Sequence, residues 1–527
     1  MTSRTLPEQR ASGLPPAAGI PSGPVAGIAA GVLGLGIAEL IAALVRGASP
    51  LLALGDRVID LTPRWLKEAA VATFGTADKP ILLACVALVT LALLAVAGAL
   101  AVRRLVLGVA TLLVLGAVDI AALLADRAGN GTGGVLALLA GLLIGSLALV
   151  HLTREARAAG PTPSPSPTAA GEAVAPTGFD RRRFLVTASA MTAVGAAGGV
   201  GARVITSRRL PAPTVAIPAT VSPAAPLPEG AALRIDGLTP YLTPVDDFYR
   251  IDIALLTPRL DVADYRLKIH GLVDNPVELT YEDLLAMPLY ERRVTIACVS
   301  NTVGGDLIGN ATWTGVRIRD VLKRAGLDPD ADAVKSTGAD GITIGTPLEA
   351  LTDGRDSLLA IAQNGEPLTR EHGFPVRMVV PGLYGYVSAT KWLTELEVTR
   401  FDDFRAYWTD RGWSAEGPIK TECRIDIPGE DVMAGERTVA GVAWAQHRGV
   451  SKVEVRVDDG PWEPATLATE DSIDTWRQWT YRWDATEGEH RIQARATDRT
   501  GTPQTAQEAP PAPDGASGYP TRTVNVG

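Results

Sequence analysis

Four apolar runs, at residues 25–45, 81–102, 105–125 and 133–151, restrict this chain more than any other feature. Each is about 19 to 22 residues long, and at about 1.5 Å of rise per residue a helix of that length crosses a hydrocarbon core of about 30 Å. A fifth run, Phe184 to Val204, is flanked by Arg181–Arg183 on one side and by Arg203, Arg208 and Arg209 on the other. The expectation is an all-α N-terminal region of five transmembrane helices in contact with membrane lipid. Short loops rich in arginine stay in the cytoplasm. The cations at Arg4 and Arg10, Arg103–Arg104, and Arg154, Arg157 and Arg181–Arg183 fall on one side only if residues 1–24 are a cytoplasmic tail. Everything after about residue 205 is then outside the cytoplasmic membrane. The connection 46–80 is mixed in charge, and Asp56–Phe74 reads as an amphipathic surface helix.

Composition separates a second half from the first. Of ten tryptophans only Trp65 precedes residue 300, whereas the first ~205 residues are built of Ala, Leu, Val and Gly. With 527 residues the chain has room for three or four units at roughly 150 residues each. A net charge of −9 disfavours nucleic acid as a partner. Cys85, Cys298 and Cys423 cannot form a disulfide framework and fit neither a zinc nor a haem-attachment spacing. His151 is the one histidine near a span, so a transmembrane haem held by two histidines is not expected. Glu39 and Asp119 lie in the outer thirds of their spans, where an acid reaches the interface, pairs with Arg46, or marks a proton or quinone site.

Pro161–Thr177 and Pro211–Pro228 read as extended linkers, the first within residues 152–183 and the second within 205–231. Residues 232–412 alternate short apolar strands with helical patterns such as Tyr281–Ala286 and Ile318–Ala325, which predicts a mixed α+β domain. From about residue 437 strands alone recur, and residues 413–527 are expected to form a small β-sandwich.

Cys298 ends the β-like run Arg-Val-Thr-Ile-Ala-Cys and opens a polar, glycine-containing loop. A thiol presented there suits a metal ligand or a nucleophile, and a lone cysteine also suits a buried core position. Two long motifs decide between these. Cys298 to Leu322, containing Ile-Gly-Asn-Ala-Thr-Trp-Thr-Gly-Val, and Asn364 to Leu393, containing His-Gly-Phe-Pro-Val-Arg and Thr-Lys-Trp-Leu, resemble the sulfite-oxidase family of molybdopterin enzymes. The resemblance covers about residues 240 to 525 and extends to the C-terminal sandwich, which it implies to be immunoglobulin-like and of the dimerisation type, with a homodimer as one partner. The segment around Arg181–Arg183 resembles a twin-arginine export signal, here internal.

The family resemblance implies a molybdenum–molybdopterin cofactor with Cys298 as the protein thiolate on the metal, a soft ligand consistent with that site. It implies cofactor contacts from Phe248, Tyr249, Arg250, Ile251 and Asp252, from Asp340, His372 and Arg377, and from Ala389, Thr390 and Lys391. Arg250 is expected at the substrate face of the metal. Departures from the family matter for substrate. The catalytic tyrosine of the sulfite oxidisers aligns with Trp413, the arginine that often follows their cysteine loop is Thr302, and their Arg-Asn-His triplet is Arg250-Ile251-Asp252. Oxygen-atom transfer on a small oxo-substrate other than sulfite is the expected reaction. A quinone or a cytochrome is the expected external electron carrier, because no haem, flavin or iron–sulfur motif is visible. The rival readings are an inert membrane-tethered adhesion module and a hydrolase using Cys298 and His372; the second lacks an orienting acid at a recognisable spacing.

Overall fold

The computed structural model describes residues 22–63, 66, 69–70, 73–74, 77–126, 131–157, 181–208 and 215–527. Pro161–Thr177 and residues 1–21 lie outside them. The chain divides into two compact units, Met1–Arg209 and Leu210–Gly527.

The first unit is helical: α1 Ser22–Val45, α2 Pro50–Leu61, α3 Asp78–Arg103, α4 Leu105–Leu124, α5 Gly131–Arg157 and α6 Arg181–Arg208. All but α2 are long and apolar enough to cross a membrane. Helix α1 packs on α3, α5 and α6 through residues that have almost no side chain. A β-carbon placed on Gly27 would lie 2.0 Å from the Leu94 carbonyl oxygen, and one on Gly36 would lie 1.9 Å from that of Gly195. Backbones that close gain dispersion contacts which do not require water to be expelled, the arrangement suited to a lipid surround.

Helix α2 departs from the expected Asp56–Phe74 segment. It starts at Pro50 because Ser49 caps it, accepting from Leu52 N at 3.3 Å. It stops at Leu61 because Pro63 forces Thr62 into an extended conformation (ψ 127°). Glu39 is part of this cap rather than a partner of Arg46, since its Oε1 accepts from Ser49 Oγ at 2.8 Å and from Leu51 N at 3.0 Å. Asp119 Oδ1 is buried without a hydrogen-bond partner. His151 lies 3.6 Å from Glu155, which also pairs with Arg183 at 3.2 Å.

The second unit contains two α+β sheets followed by two further sheets. In chain order its strands begin β1 Arg266–Gly271, β2 Val277–Thr280, β3 Tyr290–Ala297, β4 Ile308–Arg317, β5 Ala333–Gly338 and β6 Thr343–Pro347. They continue with β7 Leu358–Gln363, β8 Glu366–Pro367, β9 Arg377–Val379 and β10 Leu393–Thr399. One sheet has the order β2-β1-β10-β5-β6; the other is β3-β4-β7-β8, with β9 also paired to β7. Helices α7 Tyr281–Ala286 and α8 Ile318–Ala325 occupy the expected positions. A capping box between Thr280 and Asp283 starts α7.

The C-terminal strands are β11 Glu422–Ile427, β12 Asp431–Val432, β13 Gly435–Trp444, β14 Val450–Val457, β15 Glu463–Pro464, β16 Thr466–Leu467, β17 Arg477–Ala485, β18 Gly488–Asp498 and β19 Thr521–Val526. They form two sheets, β11-β13-β17-β16 and β12-β19-β18-β14-β15, around one core that includes Val439, Val453, Trp479 and Ile492. The strand pattern therefore begins at β11, before the expected residue 437. Trp444 and Trp476 turn the other way and join the core of the α+β region. The Arg293–Asp471 ion pair and the bond from Trp476 N to Thr295 Oγ1 (2.7 Å) tie the two regions together.

One linker expectation is corrected. Residues 215–231 do not hang free: Val221 N donates to Leu289 O and Glu291 N to Ser222 O, both at 2.9 Å, so the stretch lies along β3. Val215 and Ile217 pack on the core. Prolines do not prevent this, because an extended segment at a sheet edge needs only some of its N–H groups.

Candidate active site

Strand β3 runs inward over its last four residues and delivers Cys298 into a closed loop. Cys298 N donates to Leu307 O at 2.9 Å, and the buried Asn301 side chain accepts from Leu307 N at 2.9 Å. Gly304, at φ +74°, makes the turn between. The thiol is 8% exposed, and its sulfur accepts from Ser300 N at 3.4 Å. Burial pushes its pKa up, and the Ser300 hydrogen bonds oppose this.

Cys298 lines a cavity. Its wall carries Phe248, Tyr249, Ile251, Asp252, Asp340, His372, Arg377, Ala389, Lys391 and Trp413, so most of the residues singled out in the sequence are brought together. Two are not on it. Thr390 is fully buried and shares a hydrogen bond with Ser336 Oγ at 2.6 Å. Arg250, expected at the substrate face, is 43% exposed and is not on the wall: its Nε donates to the wall residue Asp252 at Oδ2 (3.1 Å) and its Nη2 to Thr257 Oγ1 at 2.9 Å. The Asp252 oxygen that it meets also accepts from Lys391 Nζ at 2.8 Å.

The segment His372-Gly373-Phe374-Pro375-Val376-Arg377 folds back through Gly373, whose φ of +109° favours glycine. A β-carbon on Gly373 would lie 3.1 Å from the β-carbons of both Arg377 and Lys391, so the glycine lets the two cations approach one another. Trp392 also has a positive φ, +52°, a conformation that costs a bulky residue on the order of 1 kcal/mol. Its indole N–H fixes that turn by donating to Arg370 O at 2.7 Å. Lys391 Nζ donates to Asp252 Oδ2 at 2.8 Å and to Glu371 O at 3.0 Å.

Arg377 differs from Lys391 in that no carboxylate among the described residues pairs with it. It is 5% exposed, sits 4.9 Å over the Trp313 ring, and donates to the carbonyls of His372 (3.2 Å) and Met378 (3.5 Å). Burial lowers its pKa to about 10. Burial also brings Lys391 down to about 8, against the pull of Asp252, and His372 down to about 4, helped by the Arg377 charge. His372 is thus neutral at pH 7, donating or accepting hydrogen bonds, as at Val245 O (3.1 Å), without adding charge. Asp340 is raised to about 6 by burial. A buried guanidinium without a counter-ion is costly, and an anion in the cavity satisfies it. These residues fit the phosphate of a bound cofactor.

The rest of the wall is apolar and aromatic. Trp408 and Trp413 stand at 84° with ring centroids 6.5 Å apart, and Tyr386 lies 5.8 Å from Trp413. Ile253, Ile296, Ile342 and Ile344 complete it. Tyr386, Trp392 and these isoleucines were not singled out from the sequence. Tyr-Trp-Thr-Asp-Arg-Gly-Trp, with three large aromatics in seven residues, was the available signal for Trp408.

The family described as "Oxidoreductase molybdopterin binding domain" matches residues 254–408. The chain is 40% identical over 157 residues to the "Uncharacterized oxidoreductase YuiH" of Bacillus subtilis, covering 30% of this chain and 76% of that protein. The chain belongs to the molybdopterin-dependent oxidoreductases of sulfite-oxidase type. It is 31% identical over 301 residues to "Sulfite oxidase, mitochondrial" of Homo sapiens, covering 48% of this chain and 55% of that one. The corresponding enzyme of Drosophila melanogaster is 29% identical over 315 residues, with 49% and 54% covered. The chain thus spans about half the length of these two animal relatives. Among solved structures, the "Sulfane Dehydrogenase SoxCD from Paracoccus pantotrophus" is 26% identical with a TM-score of 0.48, covering 55% of this chain and 84% of that one. The cofactor of this family is molybdopterin, and the apolar helical unit has the dimensions of a membrane domain.

Proposed function

We propose that this oxidoreductase transfers an oxygen atom between its molybdenum centre and a small organic oxo-compound, a sulfoxide or N-oxide in preference to sulfite. The proposal places the catalytic unit outside the cytoplasmic membrane, anchored by five transmembrane helices. In the reducing direction one sulfoxide, two protons and two electrons give one thioether and one water. The sulfur–oxygen bond breaks, the sulfur is reduced, and the oxygen leaves as water. The electrons come from a quinol or a c-type cytochrome.

One observation carries the substrate reading. Among the described residues the only cations on the cavity wall are Arg377 and Lys391, which flank Gly373, while the aromatic side of the wall has none. An inorganic dianion such as sulfite calls for a cationic pocket. An organic oxide with an apolar arm suits Trp408, Trp413 and Tyr386.

The bound cofactor would supply two-electron redox chemistry at the metal. The chain's own residues would do the rest. Cys298 ligates the metal. Arg377 and Lys391 neutralise the cofactor phosphate, His372 hydrogen-bonds to it, and Phe248, Tyr249, Ile251, Asp252, Asp340 and Ala389 line the pterin; Thr390 supports them from behind. Trp413 narrows the entrance and limits water. Arg250 holds Asp252 from outside. The C-terminal sheets read as an immunoglobulin-like sandwich and a homodimer surface, and Arg181–Arg183 as part of a twin-arginine signal that exports the folded, loaded unit.

Elemental analysis of the detergent-purified protein should find molybdenum. Steady-state assays with artificial donors and acceptors should then give a higher kcat/KM for sulfoxides or N-oxides than for sulfite; the reverse order would sink the substrate reading. A cytoplasm-only reporter fused at Gly527 should stay silent, and signal there would overturn the orientation.

A further inference from the structure

A thiolate tunes its metal partly through the direction in which the sulfur points, and that direction is set by whatever fixes the backbone on either side of it. Cys298 hangs between two anchors, and both come from the C-terminal sheets. The upstream anchor acts on Thr295, three residues before the thiol and 2% exposed. Thr295 N donates to Asp474 O at 2.9 Å, and its carbonyl accepts from Gln446 Nε2 at 3.1 Å. Its hydroxyl accepts from Trp476 N at 2.7 Å and donates to Asn310 Oδ1 at 3.0 Å. Gln446 follows β13, and Asp474 and Trp476 lead into β17.

The downstream anchor is Arg424 on β11. Its Nη1 donates to Gly305 O at 3.0 Å, at the tip of the loop formed by residues 298–307. The guanidinium has little freedom to swing: Nε donates to Asp426 Oδ1 at 2.6 Å and Nη2 to Thr239 Oγ1 at 2.7 Å, while Thr239 N donates to Asp426 Oδ2 at 3.2 Å. A planar fork with two edges engaged presents the third in a fixed direction. From Gly305 a continuous line of contacts returns to the thiol. A β-carbon on Gly305 would lie 2.5 Å from Asn301 Oδ1, so the tip rests on the Asn301 side chain. That side chain accepts from Leu307 N, and Leu307 O accepts from Cys298 N. Neither Thr295 nor Arg424 is on the cavity wall, so any effect they have on the metal passes through Cys298.

We propose that Arg424 and Thr295 are positioning residues through which the C-terminal sheets set the angle at which the Cys298 sulfur meets the metal, a role that rests on the reading of Cys298 as the metal ligand. The C-terminal sheets are then part of the redox centre's tuning, and a change in them far from the cavity alters the metal without touching substrate or pterin.

The test is Arg424→Met in the full-length holoenzyme. Arg448→Met is the control, because it also strips a buried carboxylate of its arginine in the same sheets, at Asp498 (3.0 Å), with no bond to the loop. Thr295→Val removes the upstream hydroxyl and Thr295→Ser restores it. Molybdenum content should match wild type in all four. The paramagnetic resonance of the half-reduced enzyme and its midpoint potential should change in Arg424→Met and Thr295→Val, and should stay those of wild type in Thr295→Ser and Arg448→Met. In the two altered variants kcat should fall about 10- to 100-fold with KM nearly constant. A wild-type resonance and potential in Arg424→Met would overturn the assignment; where that variant does not fold or load, the same result in Thr295→Val would do so. If the wild type contains no molybdenum, the reading of Cys298 as ligand fails. Amide hydrogen exchange in residues 298–307 of the metal-free protein should then still be faster in Arg424→Met than in wild type and Arg448→Met, and equal rates would overturn the anchoring itself.

Discussion

At the centre of the helical unit the tightest contacts are made by glycines, with Gly27 set against the Leu94 carbonyl and Gly36 against that of Gly195. In the catalytic unit glycines also bring adjacent strands together, as at Gly441 against the Arg424 carbonyl, but the interior holds in addition the largest side chains, with Trp313, Trp392, Trp444, Trp476 and Trp479 all buried to within 2%. The difference is the one expected of the proposed surroundings, lipid for one unit and water for the other. In water, burying an indole removes 150–250 Å² or so of mostly apolar surface, which is favourable in itself. Against lipid the same burial gains little, and close backbone approach takes over. The helical unit should therefore fail chiefly under enlargement, whereas the catalytic unit should also fail under truncation.

The largest effect is expected from enlargement. Gly36→Leu sets a side chain against a backbone carbonyl that cannot move aside, so detergent-solubilised protein should lose the helical unit's cooperative melting altogether. A variant melting within a few degrees of wild type would break the comparison. Truncation comes next. Trp313→Ala should destabilise the catalytic unit by about 3–5 kcal/mol by denaturant titration, and should also reduce molybdenum occupancy because Arg377 rests on that ring. Arg377→Met removes a charge-assisted contact of about 1.5–3 kcal/mol, so occupancy should fall while the empty unit melts no lower than empty wild type.

A smaller effect is expected at Asp498, which is 1% exposed. Burial alone raises its pKa, but hydrogen bonds from Thr500, Arg448, Thr421 and Thr502 N more than offset this and hold it near about 2. A folded pKa below the unfolded value gives stability that is present above about pH 4 and lost as the pH falls through about 2. Asp498→Asn should thus cost about 2 kcal/mol at pH 7, and the gap to wild type should close on acidification over that window. The smallest effect is expected at the surface pair Arg482–Glu436, whose side chains are 79% and 66% exposed; Arg482→Ala should shift stability by less than about 0.5 kcal/mol.

The same contrast explains what was legible in the sequence. The five long helices follow from apolar length alone, and α7 and α8 follow from local periodicity. Cys298, His372, Arg377, Ala389 and Lys391 were legible because two long motifs carry them, and Phe248, Tyr249, Ile251, Asp252, Asp340 and Trp413 through the family resemblance outside those motifs. The start of α2 was missed because a cap, Ser49 before Pro50, outranks the apolar pattern beyond it. The placement of Arg250 off the wall was not legible, since it is set by its bonds to Asp252 and Thr257, and Thr390 could not be distinguished from Lys391 because its partner Ser336 is 54 residues away. The docking of residues 215–231 along β3 was hidden by a composition rich in proline. Each miss involves a partner distant in sequence or a local bond stronger than the periodic signal.

Arg377 also bears on how a cell could tell loaded protein from empty. Among the described residues the buried Arg377 guanidinium is hydrogen-bonded to carbonyls alone and rests on an indole. Because a ligand bound only by the folded state adds RT ln(1 + [L]/Kd) to its stability, about 2.7 kcal/mol when [L] is 100 times Kd, filling the cavity should separate two populations by resistance to unfolding and proteolysis. The unpaired guanidinium would then act as a checkpoint on assembly, with chains that never acquire the cofactor the first to be degraded.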